Sequence, residues 1–294
     1  MKGSKVLIFI TLVFAVSCAS VGKYDPKGEH VLWKVDNGDN FVYLLGSIHV
    51  GKKEIYPLAD TIEQAYNKSE NLAVEVNLDD SSVDIQKILE YGIYQSDTTL
   101  QQVVSPETYK IIEEKLKGFA SPLIYRKYRP WFAQITIMQL EMLKAGYDGK
   151  HGMDKYYLGK AKADGKDIVS LEEIDTQLQL FKMFDQAPDD YLQVSLNDLN
   201  DFESEIDVMY KAWHDGDLDA LQGIVDKSSG ISPELDNIMN EVLYKRNISM
   251  TEKIEELINS GESSFIVVGS AHLIGEGSII DLLKKSGKYN IDRI

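Results

Sequence analysis

The chain reads Gly46-Ser47-Ile48-His49-Val50-Gly51 near its start and Gly269-Ser270-Ala271-His272-Leu273-Ile274-Gly275 a further 223 positions along. Each motif follows a run of apolar residues that is typical of a β-strand. A glycine at the end of a strand lets the backbone turn sharply and pass close to other parts of the molecule. The histidine three positions later then lies in a loop at the strand end, where α/β proteins place their chemistry. We therefore expect the two strands to lie in one sheet and the two histidines to form one site.

The residues around the first motif predict a hairpin followed by a β–α–β unit. Residues 31–35 and 41–45 are strand-like and flank the turn-forming residues 36–40. An amphipathic helix is predicted over residues 57–69, and a short buried strand over residues 71–76. A strand, a loop, a helix and a second strand in this order favour parallel pairing of the two strands.

The rest of the chain predicts more strands near position 170 and at the C-terminal end, with helices between them. The expected elements are a strand over 166–172, a strand over 264–268, a helix over about 277–286 and a strand over 289–294. Helical patterns with breaks at prolines fill residues 82–160 and 173–260, approximately, and form a large insertion. The predicted fold class is therefore α/β (α+β), with a mixed central sheet built from the N- and C-terminal units in one domain over residues 31–294.

The first 17 residues predict an export signal. Two lysines precede an apolar run over residues 6–16, which is too short to span a bilayer permanently. The sequence Ala15-Val16-Ser17-Cys18 then resembles a bacterial lipobox, in which cleavage precedes a cysteine that becomes lipidated. Cys18 is the only cysteine of the chain, so it can form no internal disulfide bond. We expect residues 18–30 to tether the domain to a lipid anchor in the cell envelope, on the periplasmic face of the outer membrane. A plain secretory signal is the alternative.

The chain is acidic, with 47 aspartates and glutamates against 31 lysines and arginines and a formal net charge of -16. Phosphate backbones are bound by basic surfaces, so this composition argues against nucleic acid as a partner. The same excess of negative charge disfavours anionic lipid head groups. The acidity is expected to act mainly by keeping the surface soluble.

Glu75 is the third residue that the pattern selects. It lies in an otherwise apolar predicted strand, where a carboxylate is costly unless it is paired or functional. Parallel strands would place Glu75 at the same edge of the sheet as His49 and His272, and Glu172 ends its own strand in the same way. Two histidines and a glutamate suit a divalent metal ion such as zinc, manganese or cobalt. They suit a metal-free acid–base site equally well, because the chain has no HExxH motif to narrow the choice.

Several other short motifs accompany these residues along nearly the whole chain. In order, the set is Gly46-Ser47-Ile48-His49, Leu72-Ala73-Val74-Glu75, Arg129-Pro130-Trp131, Gly152-Met153-Asp154, Lys166 to Glu172, Gln177, Arg246-Asn247 and Val267 to Leu273. With this set the chain resembles the TraB/GumN family, which includes the Tiki-type metalloproteases. The second histidine motif reads Gly-Ser-Ala-His where many members of that family have Gly-Ala-Gly-His.

The resemblance implies a mixed α/β core distantly like those of erythromycin esterase and the haem-binding ChaN proteins. It also implies metal-dependent hydrolysis of peptides at a site made of the two motif histidines and the strand glutamate. We therefore expect a lipid-anchored hydrolase in which His49 and His272 bind the ion and Glu75 is a third ligand or the general base. The ion would polarise a carbonyl and activate water. A metal-free, esterase-like hydrolase and a non-catalytic protein that binds a peptide or haem are the alternatives.

Four further residues are expected to support this site. Arg246 is expected either to stabilise developing negative charge or to hold Glu75 or Glu172 in a salt bridge. Asp154 lies at the start of a helical pattern, so capping of that helix is its simpler role. Asp154, Glu172 and Asn247 are candidates for residues that contact the metal ligands.

Overall fold

The computed structural model of the protein describes residues 29–77, 85–197, 199, 202–227 and 229–294. The predicted signal sequence, Cys18 and most of the predicted tether therefore lie outside the described residues. Within them, six strands form one sheet: β1 (Leu32–Asp36), β2 (Phe41–Ser47), β3 (Asn71–Val74), β4 (Ile168–Ser170), β5 (Ser264–Gly269) and β6 (Asn290–Arg293).

The sheet is mixed, and its strand order is β4-β3-β5-β2-β1-β6. β1 and β2 form the antiparallel hairpin, with Leu32 opposite Leu45 and Asp36 opposite Phe41, and β6 lies antiparallel to β1. β2, β5, β3 and β4 run parallel to one another. The prediction of a mixed central sheet with strands from both ends of the chain is confirmed.

Helices occupy most of the chain between the strands. The described residues form α1 (Asp60–Lys68), α2 (Ile85–Gly92), α3 (Leu100–Val103), α4 (Pro106–Leu116), α5 (Pro122–Tyr125), α6 (Pro130–Lys144), α7 (Met153–Asp164), α8 (Ile174–Phe181), α9 (Pro188–Asn197), α10 (Phe202–His214), α11 (Leu218–Asp226), α12 (Pro233–Met239), α13 (Arg246–Ser260) and α14 (Ile279–Ser286). A π-helical segment, Asn240–Lys245, joins α12 to α13. Among the helices that the structure describes, none combines the length and the apolar content needed to cross a bilayer.

The central parallel strands are apolar along their length because both of their faces are covered. Every residue of β3 and of β5 is buried. α1 and α7 pack against β5, and α13 packs against β2. A strand covered on both faces has a continuous apolar sequence instead of an alternating one. This packing explains why residues 72–74 and 265–268 are all apolar.

Three strands are shorter than predicted, namely those expected over residues 71–76, 166–172 and 289–294. β3 ends at Val74, so Glu75 follows the strand and does not lie within it. At this point the N–H of Gly269 donates to Oε1 of the Glu75 side chain at 2.7 Å. The strand predicted over residues 166–172 is limited to β4, so Glu172 also lies just beyond a strand end.

Candidate active site at the carboxyl edge of the sheet

Four parallel strands end at one edge of the sheet, and each of these ends carries a predicted site residue. Glu172 follows β4, Glu75 follows β3, and His49 follows β2. His272 lies in a turn of 3₁₀ helix directly after β5. The carboxyl ends of parallel strands meet in space, so the topology brings together residues from four distant parts of the chain.

The two histidine motifs contact each other directly. Ser47 of β2 pairs with Gly269 of β5, and Ser270 Oγ donates to the carbonyl oxygen of Ser47 at 3.0 Å. A Cβ at Gly46 would lie 2.5 Å from Val31 Cγ1 and 3.0 Å from Ser270 Oγ. Glycine is therefore required at position 46 by the close approach of neighbouring segments.

His49, His272 and Glu75 face one another across a small space. Nε2 of His49 lies 3.9 Å, and Nε2 of His272 lies 3.8 Å, from the same carboxylate oxygen, Oε1 of Glu75. Both distances are too long for a hydrogen bond. A Cβ on Gly269 would lie 3.2 Å from His49 Nε2 and 3.3 Å from Glu75 Oε1. The glycine thus leaves room for a small ligand between the three side chains.

Asn247 determines which nitrogen of His272 carries the hydrogen. The amide nitrogen of Asn247 donates to the carbonyl oxygen of Gly277 at 2.8 Å, so the amide oxygen faces Nδ1 of His272 at 2.6 Å. That oxygen can only accept, so Nδ1 is the donor and Nε2 presents a lone pair towards Glu75. Nε2 is buried and has no hydrogen-bond partner among the described residues. Such atoms are rare in folded proteins, and a bound ion or water at Nε2 is one arrangement that would satisfy this one.

Asp154 orients His49 in a corresponding way. Its Oδ2 lies 2.8 Å from Nδ1 of His49, and Ser47 Oγ donates to its Oδ1 at 3.3 Å. The prediction that Asp154 caps its helix is wrong, because Gly152 is the N-cap residue of α7. A Cβ on Gly152 would lie 2.1 Å from the carbonyl oxygen of His49. The absence of a side chain there lets the start of α7 approach the first motif, so that Asp154 reaches the imidazole.

Arg246 joins the two glutamates. Its Nη2 donates to Oε2 of Glu75 at 2.7 Å and to Oε2 of Glu172 at 2.6 Å, and its Nε donates to Glu172 at 2.9 Å. Its Nη1 donates to the carbonyl oxygen of Val242 at 3.3 Å. Of the two roles expected for Arg246, the structure shows the salt bridge, which is formed with both Glu75 and Glu172. Gln177 donates to both glutamates, at 3.4 and 3.1 Å, and the sequence patterns alone assigned it no part in the site.

Comparison with known proteins identifies the family. The chain matches the TraB/PrgY/gumN family over residues 31–291. This chain belongs to that family. The uncharacterized protein YbaP of Escherichia coli K12 is 22% identical in an alignment of 273 positions that covers 88% of this chain and 95% of YbaP. A metalloprotease TIKI homolog of Amphimedon queenslandica is 20% identical in an alignment of 345 positions that covers 98% of this chain and 67% of that protein. Metalloprotease TIKI1 of Danio rerio is 20% identical in an alignment of 310 positions that covers 89% of this chain and 62% of that protein.

These relatives support the family resemblance that the motifs predicted. The distant relatives that carry a functional name are called metalloproteases. About one aligned residue in five is identical between them and this chain. No solved structure matches the chain significantly. The expected likeness to erythromycin esterase and ChaN proteins stays a prediction.

The two imidazoles of this family member have opposite protonation preferences. Burial favours the neutral ring of His49, but the charges of Asp154 and then Glu75 outweigh it and raise the pKa of His49 to about 9. In His272 burial dominates over the attraction of Glu75 and lowers the pKa to about 3. Burial also acts against the Glu75 carboxylate, yet the neighbouring imidazoles, the Arg246 guanidinium and the Gly269 N–H hold its pKa well below the usual range. At neutral pH the site therefore contains a neutral His272 beside an ionised Glu75.

The donor set fits a divalent cation, although the described residues contain no finished metal cluster. Nowhere in the described part of the chain do three histidine, cysteine, aspartate or glutamate side chains form a group that could hold a metal ion as they stand. Zinc-type ions bind nitrogen and oxygen at about 2.0–2.2 Å, so two such bonds can span roughly 4 Å. The 3.8 and 3.9 Å separations from Glu75 Oε1 lie within that reach. The three carboxylates of Glu75, Glu172 and Asp154 outnumber the two cations, Arg246 and protonated His49, so the surroundings attract positive charge.

Two aromatic residues of α10 that the sequence patterns do not single out, Tyr210 and Trp213, also shape the site. Trp213 Nε1 donates to the carbonyl oxygen of Gly46 at 2.6 Å, and the Tyr210 hydroxyl donates to the carbonyl oxygen of Val50. These bonds hold the first histidine motif at both of its ends. In sequence Tyr210 and Trp213 look like any aromatic pair on the buried face of a helix, so no local pattern distinguishes them.

Proposed function

We propose that this protein is a metal-dependent peptidase in which His49, His272 and Glu75 bind one divalent ion. The proposal rests on one observation. Nε2 of each histidine lies within 4 Å of the same Glu75 oxygen, while each Nδ1 faces a different side chain, Asp154 or Asn247. The metalloprotease names of the distant TIKI relatives support the same class of reaction. Ligands of this type suit zinc, manganese and cobalt.

The neighbours of the proposed ligands determine where the ligand atoms point. Asp154 and Asn247 occupy the Nδ1 atoms, so that only the Nε2 atoms of His49 and His272 face Glu75. Partners of this kind fix the ring orientation and raise the basicity of a histidine ligand. The bound ion would supply Lewis-acid polarisation of the peptide carbonyl and activation of water.

Arg246 would act on the reaction through Glu75. Its guanidinium is buried between Glu75 and Glu172, and Gln177 donates to the same two carboxylates. These bonds hold Oε2 of Glu75 and leave Oε1 facing the histidines. We propose Arg246 as a positioning residue, because its hydrogen bonds go to three protein groups: Glu75, Glu172 and the carbonyl oxygen of Val242.

A substrate would approach the site from the side of His49. The His49 side chain is 27% exposed, whereas the His272 side chain is completely buried. A peptide carbonyl would therefore meet the outer face of the His49 ring first. His272, which has no exposed surface, would act only as a metal ligand on the interior side of the site.

In the metal-free alternative, one histidine would act as the general base and a carboxylate, at first sight Glu75, would orient it. Glu75 does not orient either histidine, since the shortest separations are 3.8 and 3.9 Å. The orienting carboxylate is Asp154, which with His49 forms a pair of the kind used in general-base catalysis. However, the pKa of about 9 keeps His49 protonated at neutral pH unless an ion displaces the proton. We therefore rank the metal-dependent function first.

The decisive experiment combines metal analysis with cleavage of unstructured peptides. Protein freed of metal is reloaded separately with zinc, manganese or cobalt, and bound metal and peptide cleavage are measured in the same samples. His49→Ala and His272→Ala are expected to lose stoichiometric binding and cleavage. Asn247→Ala is expected to bind the ion about 10–100-fold more weakly, because the His272 ring loses its partner. His214→Ala replaces a histidine on α10 outside the site and should match the wild type.

Each outcome selects one of the functions. Equal cleavage by the wild type and His49→Ala would reject the site. Activity that resists chelators but needs both histidines would establish the metal-free hydrolase. Affinity for a peptide or for haem without turnover under any metal would identify a binding protein.

We also propose that the domain is held at the cell envelope by a lipid on Cys18. The support is the apolar run over residues 6–16 and the lipobox-like sequence that ends at the single cysteine. Cells grown with labelled palmitate should incorporate the label into the wild type and not into Cys18→Ser. Label in both proteins would contradict the anchor, and label in neither would favour a plain secretory signal.

A further inference from the structure

The segment between α4 and α6 exposes three large apolar side chains. Phe119, Leu123 and Ile124 are 60%, 70% and 53% exposed. Apolar side chains exposed singly are ordinary in a folded protein, but a group of them on one short segment marks an interaction surface. We call residues 117–127 the apolar tip.

The fold keeps these side chains facing outwards. Gly118, with a φ of +82°, ends α4 in the left-handed conformation, and Ser121 Oγ accepts the N–H of Leu123 at the start of α5. Tyr125 is buried on the opposite side of α5, where its hydroxyl donates to Glu113 Oε1 at 3.4 Å. Because Tyr125 packs inwards, the preceding Leu123 and Ile124 are left on the outer side of a hydrogen-bonded turn.

The charge around the apolar tip is opposite to that of the whole protein. Residues 115–140 contain five lysines and arginines and no aspartate or glutamate, in a chain with 47 acidic residues. Lys117 and Arg126 are exposed, and the ion pairs of the described residues include neither of them. Lys127 also lies in the tip, where its side-chain nitrogen donates to the carbonyl oxygens of residues 96 and 98.

The nearest acidic side chains offset only part of this charge, because Glu113 and Glu114 lie just before the segment and Arg129 is paired with Asp185. Glu113 accepts the hydrogen bond of Tyr125, and Glu114 lies 3.9 Å from Lys110 on the exposed face of α4. Lys115 is paired with Glu141 at 3.4 Å. The outer end of the segment therefore combines apolar side chains with cations that have no carboxylate partner in the described residues.

We propose that the apolar tip docks on the surface of an anionic phospholipid bilayer. Phe119, Leu123 and Ile124 would enter the interfacial region, while Lys117 and Arg126 would lie at the phosphate groups. The charge complementarity between these cations and the lipid phosphates favours this occupant, although the acidic remainder of the protein is repelled by anionic head groups. The contact is local, so it does not conflict with the composition. It depends neither on the metal nor on the proposed peptidase activity.

A fluorescent label tests this contact at a single position. In the full chain with Cys18→Ser, a new cysteine at Leu123→Cys becomes the only one and carries an environment-sensitive nitrobenzoxadiazole dye. Phosphatidylcholine vesicles that contain phosphatidylglycerol are expected to shift its emission to the blue, and vesicles of phosphatidylcholine alone to do so far less. The matched control is Val208→Cys, which replaces an apolar residue of α10 that is 59% exposed beside Asp207. Its emission should not change.

Substitutions of the exposed residues give a second readout. Phe119→Ser combined with Ile124→Ser should lower the vesicle partition coefficient about tenfold or more. Lys117→Gln and Arg126→Gln should lower it about fivefold each on anionic vesicles. The matched control Val208→Ser should leave it unchanged. An unshifted dye at position 123 on anionic vesicles, or equal shifts at positions 123 and 208, would overturn the proposal and leave a protein partner as the occupant of the tip.

Discussion

Replacement of Arg246 by methionine is expected to lower the free energy of unfolding by about 3–5 kcal/mol. Methionine keeps much of the length of the side chain and removes its charge and its hydrogen-bond donors. Glu75 and Glu172 would then remain buried as two neighbouring carboxylates without their shared cation. The mutual stabilisation is visible in the pKa values, since that of Arg246 is raised above its usual range despite burial and that of Glu75 is lowered. Urea denaturation in the presence of a chelator measures the effect without a contribution from bound metal.

Lys245→Met is the matched control for this prediction. Lys245 precedes Arg246 in the chain, but its ammonium forms an exposed pair with Glu241. Loss of such a pair changes stability by about 1 kcal/mol at most. Glu172→Gln in the Arg246→Met background should restore part of the loss, with a coupling of about 0.5–3 kcal/mol. Equal stability of the Arg246 and Lys245 variants would show that the buried ion pair contributes little.

Replacement of Glu75 by glutamine is expected to lower peptide cleavage about a hundredfold or more and to remove the bound ion. One end of a glutamine side chain is an NH₂ group, which can accept a hydrogen bond neither from the Gly269 N–H nor from Arg246. The variant also lacks the negative charge that faces both Nε2 atoms. The expected loss of the ion follows from the geometry, in which Oε2 is held by Arg246 and Oε1 is the atom directed at the histidines.

The two possible roles of Glu75 separate in this experiment. A carboxylate whose pKa lies well below the usual range is a poor proton acceptor and a good anionic ligand. Loss of both metal and activity is therefore the expected result. Full metal content with lost activity would identify Glu75 as the general base. Unchanged activity would contradict its place in the site. Glu173→Gln, an exposed substitution that follows Glu172, provides the control.

The paired histidine motifs and the apolar strands could be predicted from the sequence, because each depends only on residues that are close together in the chain. Each motif combines an apolar strand, a glycine and a histidine within about ten residues, so periodicity and residue type are sufficient. The end of β3 was placed too late, because the N–H of Gly269, almost 200 positions away in the chain, bonds to the Glu75 side chain. The helix cap assigned to Asp154 was wrong for the same kind of reason, since the carboxylate binds His49 of a distant loop.

The amino-acid sequence by itself determined the mixed α/β class, the family and the residue types available for chemistry. Only the tertiary structure decided which atoms of those residues meet: Nε2 of two imidazoles towards one oxygen of Glu75, with Asp154, Asn247 and Arg246 behind them. Hydrophobic periodicity reports the neighbours of a residue within its own element. The contacts of these side chains cross from one strand end to another, and they exist only once the parallel strands are in register.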